Sequence, residues 1–128
     1  MFAKSEAFSG FSVDDLSRAK TFYSETLGLE VSDVEGMDGL LTLHLAGNRN
    51  VLVYAKSDHT PASFTILNFP VGDIGAAVDG LFERGVTLER YEDLGDADAK
   101  GVYRDGPGPA IAWFKDPAGN VLSVLQDG

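Results

Sequence analysis

Cysteine is absent from this chain of 128 residues. Its absence excludes disulfide bonds, thiolate zinc sites and cysteine nucleophiles. Basic residues are also few, since ten Lys and Arg stand against 20 Asp and Glu, which gives a formal net charge of −10. Because the few basic residues are scattered and such a charge repels phosphate backbones, we expect no nucleic-acid partner. The acidity is expected to keep the protein soluble, with attraction of cationic ligands as the alternative.

Long apolar stretches are missing as well. No run approaches the ~20 residues that span a bilayer, so we expect no membrane partner. Residues 1–6 have no apolar core of the kind that a secretory signal needs, which predicts a cytoplasmic protein. The hydrophobic fraction of 44% is ordinary for a globular protein, and the length fits one domain.

An internal repeat is the most informative feature that the chain does contain. Residues 13–28 place apolar side chains at helical spacing, with Asp14 or Asp15 as the N-cap and a glycine at the end. Residues 71–85 repeat this pattern with Asp73 as the cap. A shift of 58 positions superimposes the two segments, and their ends then differ by one residue.

Short apolar runs bounded by turn residues predict four strands in each half of the chain. The predicted strands lie near 6–13, 29–34, 39–46 and 50–56, and then near 62–70, 86–91, 109–115 and 120–126. We therefore expect one α+β domain over residues 1–128, built from two βαβββ modules at 6–56 and 62–128 with a linker near 57–61. The two modules would form a curved eight-stranded mixed sheet, with helices on the convex side and a concave cup on the other.

Two motifs resemble those of the vicinal-oxygen-chelate superfamily of glyoxalases, bleomycin resistance proteins and extradiol dioxygenases. Residues 13–29 are similar to its opening strand and helix, and residues 114–120, Phe-Lys-Asp-Pro-Ala-Gly-Asn, are similar to its closing signature. The resemblance covers essentially the whole chain and implies the glyoxalase/bleomycin-resistance fold and a homodimer. It names no activity, because the superfamily includes lyases, dioxygenases, epimerases, thiol transferases and drug-sequestering proteins without catalysis.

In metal-dependent members of that superfamily, the first and last strands of each module commonly supply His, Glu or Gln ligands. The motifs and the repeat shifts of 58 and 70 place these positions at Phe8, Val53, Ile66 and Ser123. Three of the four side chains have no lone pair, and a serine hydroxyl is a poor ligand for zinc, nickel or iron. Their neighbours form no site either, so the sequence predicts no metal and no cofactor.

Strand alternation predicts which side chains line the cup. The expected lining is mainly apolar with a few polar groups, which is typical of a small-molecule site. Tyr103 and Arg104 belong to a long segment, 91–109, that we expect to be either a lid over the ligand or disordered. The predicted ligand-binding residues are Phe8, Ser12, Thr42, His44, Val53, Phe64, Ile66, Asn68, Tyr103, Arg104, Phe114 and Ser123.

His44 is the cup residue expected to titrate near neutral pH, and hence the candidate for catalysis. A histidine base is often oriented by a carboxylate, and none lies in its strand, so a histidine hydrogen-bonded within the sheet is the favoured interpretation. His59, in the linker, is expected to be solvated. The repeat matches Phe114 to His44, which places Phe114 rather than Trp113 inside the cup.

Three classes of function remain. The favoured prediction is a metal-independent protein that binds and sequesters a small molecule, such as a cationic or aromatic drug or a metabolite. The first alternative is an enzyme acting on a small substrate in the cup: a glyoxalase or lyase, an isomerase or a dioxygenase, or a metal-independent enzyme that uses His44, or Ser12 with Asn68. The second alternative is a dimeric structural or regulatory module with a collapsed cup.

Overall fold

The computed structural model describes residues 1–126. The chain divides into two compact units, Met1–Thr60 and Pro61–Gly128, and the boundary lies inside the predicted linker. Both units contain the same order of four strands and one α-helix, as the repeat predicts. That the two units form a single domain stays a prediction.

The first unit is a βαβββ module. Its elements are β1 (Ser9–Val13), α1 (Leu16–Thr21), β2 (Glu30–Asp33), β3 (Leu40–His44) and β4 (Val51–Ala55). β1 pairs in parallel with β4, and β3 lies antiparallel to both β4 and β2. The sheet order is therefore β1-β4-β3-β2.

The second unit repeats this topology. Its elements are β5 (Thr65–Pro70), α2 (Ile74–Glu83), β6 (Leu88–Glu89), β7 (Ala110–Lys115) and β8 (Val121–Gln126). The sheet order is β5-β8-β7-β6, with β5 parallel to β8 and the other pairs antiparallel. The predicted α+β class and the two βαβββ modules are confirmed, and the eight strands form two four-stranded mixed sheets.

An aspartate is the N-cap of each α-helix. The carboxylate of Asp15 accepts a hydrogen bond from the Arg18 N–H at 3.1 Å, and that of Asp73 accepts one from the Ala76 N–H at 3.1 Å. Each bond satisfies a backbone donor that has no partner within the helix. The predicted cap at Asp73 is confirmed, and Asp15 rather than Asp14 is the cap of the first helix.

A π-helical turn, Phe22–Thr26, follows α1 directly. Its hydrogen bond runs from the Leu27 N–H to the Phe22 carbonyl at 3.0 Å, five residues back. Because a π turn takes one more residue than an α turn, it absorbs the extra residue that distinguishes the first helical segment from the second. The chain then leaves through Gly28 at φ 72°, a left-handed conformation that glycine adopts without steric cost.

Each sheet has one strongly buried face, which we call the helix face. In the first unit, the Phe11 ring on this face lies 5.8 Å from the ring of Tyr23 in the π turn. In the second unit, the helix face carries Phe114, Leu122 and Val124, all almost fully buried. The opposite face of each sheet carries the site residues described below. We call it the open face, although Ser123 on it is fully buried.

Within residues 1–126, no helix has the length and apolar character needed to cross a bilayer. The cytoplasmic location stays a prediction.

Candidate functional site

Four side chains form one row across the open face of the second sheet. Asn68 stands opposite Ser123, Ser123 opposite Trp113, and Trp113 opposite Glu89 in the strand ladders. Residues directly opposite one another in a ladder project from the same face of a sheet. The Ser123 hydroxyl donates a hydrogen bond to the Asn68 amide oxygen at 2.6 Å, so the structure brings these two predicted site residues together.

Three aromatic rings meet at this row: Tyr91, Tyr103 and Trp113, which we call the aromatic wall. The Trp113 ring centroid lies 5.5 Å from that of Tyr91 at an interplanar angle of 81°. It lies 5.6 Å from the centroid of Tyr103 at 63°. Such tilted, edge-to-face contacts are the favoured arrangement for aromatic pairs, so the three rings stabilise one another.

Hydrogen bonds hold all three residues of the aromatic wall. The Trp113 indole N–H donates to the Thr65 hydroxyl oxygen at 3.0 Å. The backbone of Tyr103 exchanges two hydrogen bonds with Ile111 of β7, at 2.8 and 3.1 Å. The Tyr91 backbone N–H donates to the Tyr103 hydroxyl oxygen at 2.6 Å. The surface is therefore organised before any ligand arrives.

The phenol of Tyr91 is held in its neutral form. Burial raises its pKa above the ordinary value of 10.0, and the negative charge of Glu89 and the Tyr103 hydroxyl raise it further. The Lys115 ammonium, which forms an ion pair with Glu89 at 3.3 Å, opposes this rise without cancelling it. At neutral pH the ring of Tyr91 is thus uncharged.

The long segment 91–109 is folded against its own sheet. It contains a 3-10 turn, Glu92–Leu94, and returns beside β7 so that Tyr103 is buried. Arg104 pairs with Asp98, with 3.0 Å between Nε and Oδ2, and its predicted contact with ligand stays a prediction. Movement of this segment as a lid stays a prediction.

Phe114 lies on the helix face, which corrects its predicted place in the cup. It stands opposite Leu88 and Leu122 and is 2% exposed. Trp113 takes the open-face position instead. The prediction was wrong because adjacent residues of a strand project to opposite faces, so a one-residue error in matching the repeat exchanges them.

The same one-residue error misplaced Val53. This residue stands opposite Phe11 and is fully buried on the helix face. Leu52 takes the open-face position, as Ser123 does in the second unit. The last strands are therefore related by the 71 positions from Leu52 to Ser123 rather than by 70.

The residues at the four expected ligand positions do not fit a metal ion. Phe8, Ile66 and Leu52, like Val53, offer no lone pair, and the Ser123 hydroxyl donates to an amide oxygen. In the part of the chain that the structure describes, no group of three or more His, Asp or Glu side chains is placed to hold a metal.

Two phenylalanines predicted for the cup stand just outside the strands. Phe8 precedes β1 and Phe64 precedes β5, with exposures of 72% and 69%. Ile66 is half-buried and lies where the register between β5 and β8 is irregular.

The open face of the first sheet carries Ser12, Thr42 and His44, as the sequence predicts. The Nε2 atom of His44 lies 2.7 Å from the hydroxyl oxygen of Ser32, which agrees with the interpretation of a histidine hydrogen-bonded within the sheet. Ser32 was not predicted as a site residue. It stands opposite Thr42 in the ladder and therefore lies on the same face.

His59 was expected to be solvated, but it is half-buried. Its Nδ1 lies 2.6 Å from the hydroxyl oxygen of Ser12. The linker folds back here, because the His59 backbone N–H donates to the Lys56 carbonyl at 3.1 Å. No periodicity in the linker signals this turn.

Several solved structures share the fold. TnmS3, an antibiotic binding protein from Streptomyces sp. CB03234, is 24% identical, with 98% of each chain covered and a TM-score of 0.71. A glyoxalase family protein from Enterococcus faecalis is also 24% identical, with 98% of this chain and 99% of that chain covered and a TM-score of 0.69. The fosfomycin resistance protein FosX from Listeria monocytogenes is 10% identical, with 95% and 92% covered and a TM-score of 0.71.

No curated protein matches the chain in sequence. The family model for the Glyoxalase/Bleomycin resistance protein/Dioxygenase superfamily matches residues 8–124, which is nearly the whole chain. With the two βαβββ modules described above, this match means that the chain belongs to the Glyoxalase/Bleomycin resistance protein/Dioxygenase superfamily.

Proposed function

We propose that this protein binds and sequesters a planar aromatic small molecule, a drug or a metabolite, without a metal ion. The aromatic wall of Tyr91, Tyr103 and Trp113 is the contact surface. The observation that carries the proposal is the packing of both tyrosine rings on Trp113, at 5.5 and 5.6 Å, on the open face of the second sheet.

Rigidity supports this assignment. Aromatic side chains offer a large contact area with few rotatable bonds, and a surface that is already ordered loses little entropy when it binds. The hydrogen bonds of Trp113 to Thr65 and of Tyr91 to Tyr103 order this surface in advance. A flat ring stacked on the wall would therefore gain contact area at low entropic cost.

Charge favours a cationic or neutral ligand over an anionic one. The net charge of the chain is −10. Glu89 stands opposite Trp113 on the same face but is paired with Lys115, so the preference rests on the overall charge of the chain. A cation near an aromatic ring is also stabilised by the ring quadrupole, by roughly 0.5–2 kcal/mol. A planar aromatic cation should bind more tightly than an anion of the same ring size.

The names of two structural neighbours guide the choice of compounds to test. TnmS3 is described as an antibiotic binding protein and FosX as a fosfomycin resistance protein. These likenesses establish the fold alone. Planar aromatic antibiotics are accordingly included with simple dyes in the experiment that follows.

Fluorescence of Trp113, the single tryptophan of the chain, reports directly on the proposed surface. The protein is titrated with 9-aminoacridine, a planar cation, with anthracene-2-sulfonate, a planar anion, and with a set of planar aromatic antibiotics. We expect saturable quenching, with 9-aminoacridine tighter than the sulfonate. Absence of saturable quenching by every compound would overturn the proposal.

A matched pair of variants locates the binding surface. Tyr103→Leu removes the buried ring that packs against Trp113 and should weaken binding about tenfold, since stacking on a well-supported ring contributes ~1–3 kcal/mol. Phe82→Leu removes an exposed ring on α2 and should leave the affinity unchanged. Equal affinities for the two variants would place the ligand elsewhere.

A second candidate, a metal-independent enzyme, is favoured by the contact of Ser32 with His44. The 2.7 Å between Oγ and Nε2 is within the reach that a general base needs, and Glu30 stands opposite His44 in the ladder. The test is hydrolysis of 4-nitrophenyl acetate by the wild type, by His44→Gln and by His59→Gln as the matched control. A rate that falls only in His44→Gln supports this candidate, and equal rates exclude it.

We also propose that the protein is a homodimer, as the resemblance to its superfamily implies. β1 and β5 are edge strands of their sheets, and the exposed Phe8 and Phe64 precede them. Proteins commonly cover apolar groups beside unpaired strand edges. Sedimentation velocity should give a dimer for the wild type and more monomer for the variant with Phe8→Ser and Phe64→Ser. A wild-type monomer at all concentrations would contradict the proposal.

A further inference from the structure

We infer that Asp98 is the positioning residue of the aromatic wall: its carboxylate closes the turn that holds Tyr103 against Trp113. The inference rests on the proposed function for its consequence on binding. Its structural basis is a set of hydrogen bonds around one side chain.

Asp98 organises the turn Asp98–Val102 through both of its carboxylate oxygens. Oδ1 accepts hydrogen bonds from the backbone N–H of Lys100 at 3.0 Å and of Val102 at 2.9 Å. Oδ2 accepts one from Nε of Arg104 at 3.0 Å. The carboxylate thus binds residues on both sides of Tyr103 and fixes the direction in which the chain passes it.

Backbone bonds close the same turn. The Asp98 N–H donates to the Val102 carbonyl at 2.8 Å, and the Gly101 N–H donates to the Asp98 carbonyl at 3.0 Å. Gly101 has a φ of 96°, and an added Cβ would lie 3.1 Å from the Leu88 side chain. Only glycine fits there without strain, and it permits the turn that returns Tyr103 to β7.

The charge state of Asp98 agrees with this role. Burial alone would raise its pKa, but the hydrogen bonds from Val102, Arg104 and Lys100 outweigh burial and hold the pKa below the ordinary value of 3.8. The cationic groups that face this turn are Arg104, Lys100 and Arg90, whose guanidinium lies 3.5 Å from the carbonyl of Asp98. The carboxylate is therefore ionised at neutral pH and available as an acceptor for all three donors.

The sequence offers a matched control at Asp79. This residue lies on α2 and pairs with Nζ of Lys100 at 2.8 Å, so it contacts the same turn without accepting any of the backbone hydrogen bonds described above. Asp79→Asn removes one negative charge beside the turn, as Asp98→Asn does. A difference between the two variants therefore reports on the hydrogen bonds and not on charge alone.

The experiment compares the wild type with Asp98→Ala, Asp98→Asn and Asp79→Asn. The first readout is the emission of Trp113 and its quenching by acrylamide, which needs no ligand. We expect Asp98→Ala to shift the emission to longer wavelength and to increase quenching, because Tyr103 no longer covers the indole. Asp98→Asn, which keeps one oxygen acceptor, should be intermediate, and Asp79→Asn should match the wild type. Far-UV circular dichroism checks that each variant is folded. If Asp98→Ala does not fold, the comparison uses Asp98→Asn in its place.

The second readout is the dissociation constant of 9-aminoacridine. Asp98→Ala should raise it at least about tenfold, which corresponds to loss of ~1.4 kcal/mol of binding free energy. Unchanged Trp113 emission and unchanged affinity in a folded Asp98→Ala variant would overturn the inference. The wild type could bind no 9-aminoacridine while the Trp113 emission of Asp98→Ala still shifts. In that case Asp98 does position Tyr103 on Trp113, and the proposal that the wall binds planar cations loses its support.

Discussion

The hydroxyl oxygen of Tyr103 accepts a hydrogen bond at 2.6 Å from the backbone N–H of Tyr91, twelve positions earlier in the chain. The bond joins the two ends of the stretch that contains Asp98. Both tyrosine rings also contact Trp113. The Tyr103 hydroxyl also donates to the Tyr91 carbonyl at 3.4 Å. These contacts link the closure of this stretch to the shape of the proposed binding surface.

Replacement of Tyr103 by Phe should lower the free energy of unfolding by about 1–2 kcal/mol, because the half-buried Tyr91 N–H loses its acceptor. Urea denaturation followed by far-UV circular dichroism measures this loss. Tyr54→Phe, at an exposed tyrosine of the first unit, is the control and should change the stability little. Equal stabilities for Tyr103→Phe and the wild type would show that the contact contributes nothing.

Trp113 and Phe114 are adjacent, and truncation of Phe114 should mainly lower stability whereas truncation of Trp113 should mainly remove binding. Phe114→Ala should cost about 3–5 kcal/mol of stability, since this side chain is almost fully buried on the helix face. Trp113→Ala should cost less stability, because the indole is half-buried, but should abolish binding of 9-aminoacridine, followed by the fluorescence of the dye. Greater loss of stability in Trp113→Ala than in Phe114→Ala would contradict the assignment of faces.

The raised pKa of Tyr91 makes a prediction about alkaline pH. The folded-state pKa lies above the unfolded value of about 10, so the contribution of this group to stability is complete below pH 10 and is lost as the pH rises through the folded-state pKa. The difference in tyrosinate absorbance between the wild type and Tyr91→Phe should show a titration step above the ordinary range for tyrosine. A difference spectrum with no step above that range would contradict the assignment.

The strands and helix caps of this protein could be predicted because their signals are local. Asp15 and Asp73 stand directly before apolar residues at helical spacing, and both are caps. The π turn was visible only as a difference of one residue between two helix ends. The sequence does not show whether the extra residue is taken up in a loop or in a helix, because the packing of Phe22 and Tyr23 decides this.

The faces of the last strands could not be predicted as reliably, because they depend on pairing across the sheet. Residues 50–54 resemble residues 120–124 at a shift of 70, whereas the ladders relate Leu52 to Ser123. Similarity between two short segments does not show which residue of β1 or β5 pairs with each residue of the last strand. Phe114 and Val53 were misplaced for this reason, while Thr42 and Asn68 were placed correctly.

The aromatic wall was predicted only in part. Tyr103 was expected at the site, but Tyr91 and Trp113 were not. The two tyrosines lie in a segment without periodicity, and the turn at Asp98 returns Tyr103 to the tryptophan that Tyr91 also contacts. Contacts made by an irregular segment leave no pattern in the sequence that encodes it.

The most direct test of the account uses the indole N–H signal of Trp113, which is unique in a two-dimensional nitrogen–proton NMR spectrum because the chain has a single tryptophan. The labelled protein is titrated with 9-aminoacridine. We expect this signal to shift in a saturable manner, together with the backbone signals of Tyr91 and Tyr103. Saturable shifts confined to other parts of the chain, with the Trp113 signal unchanged, would contradict the proposal that the aromatic wall is the binding surface.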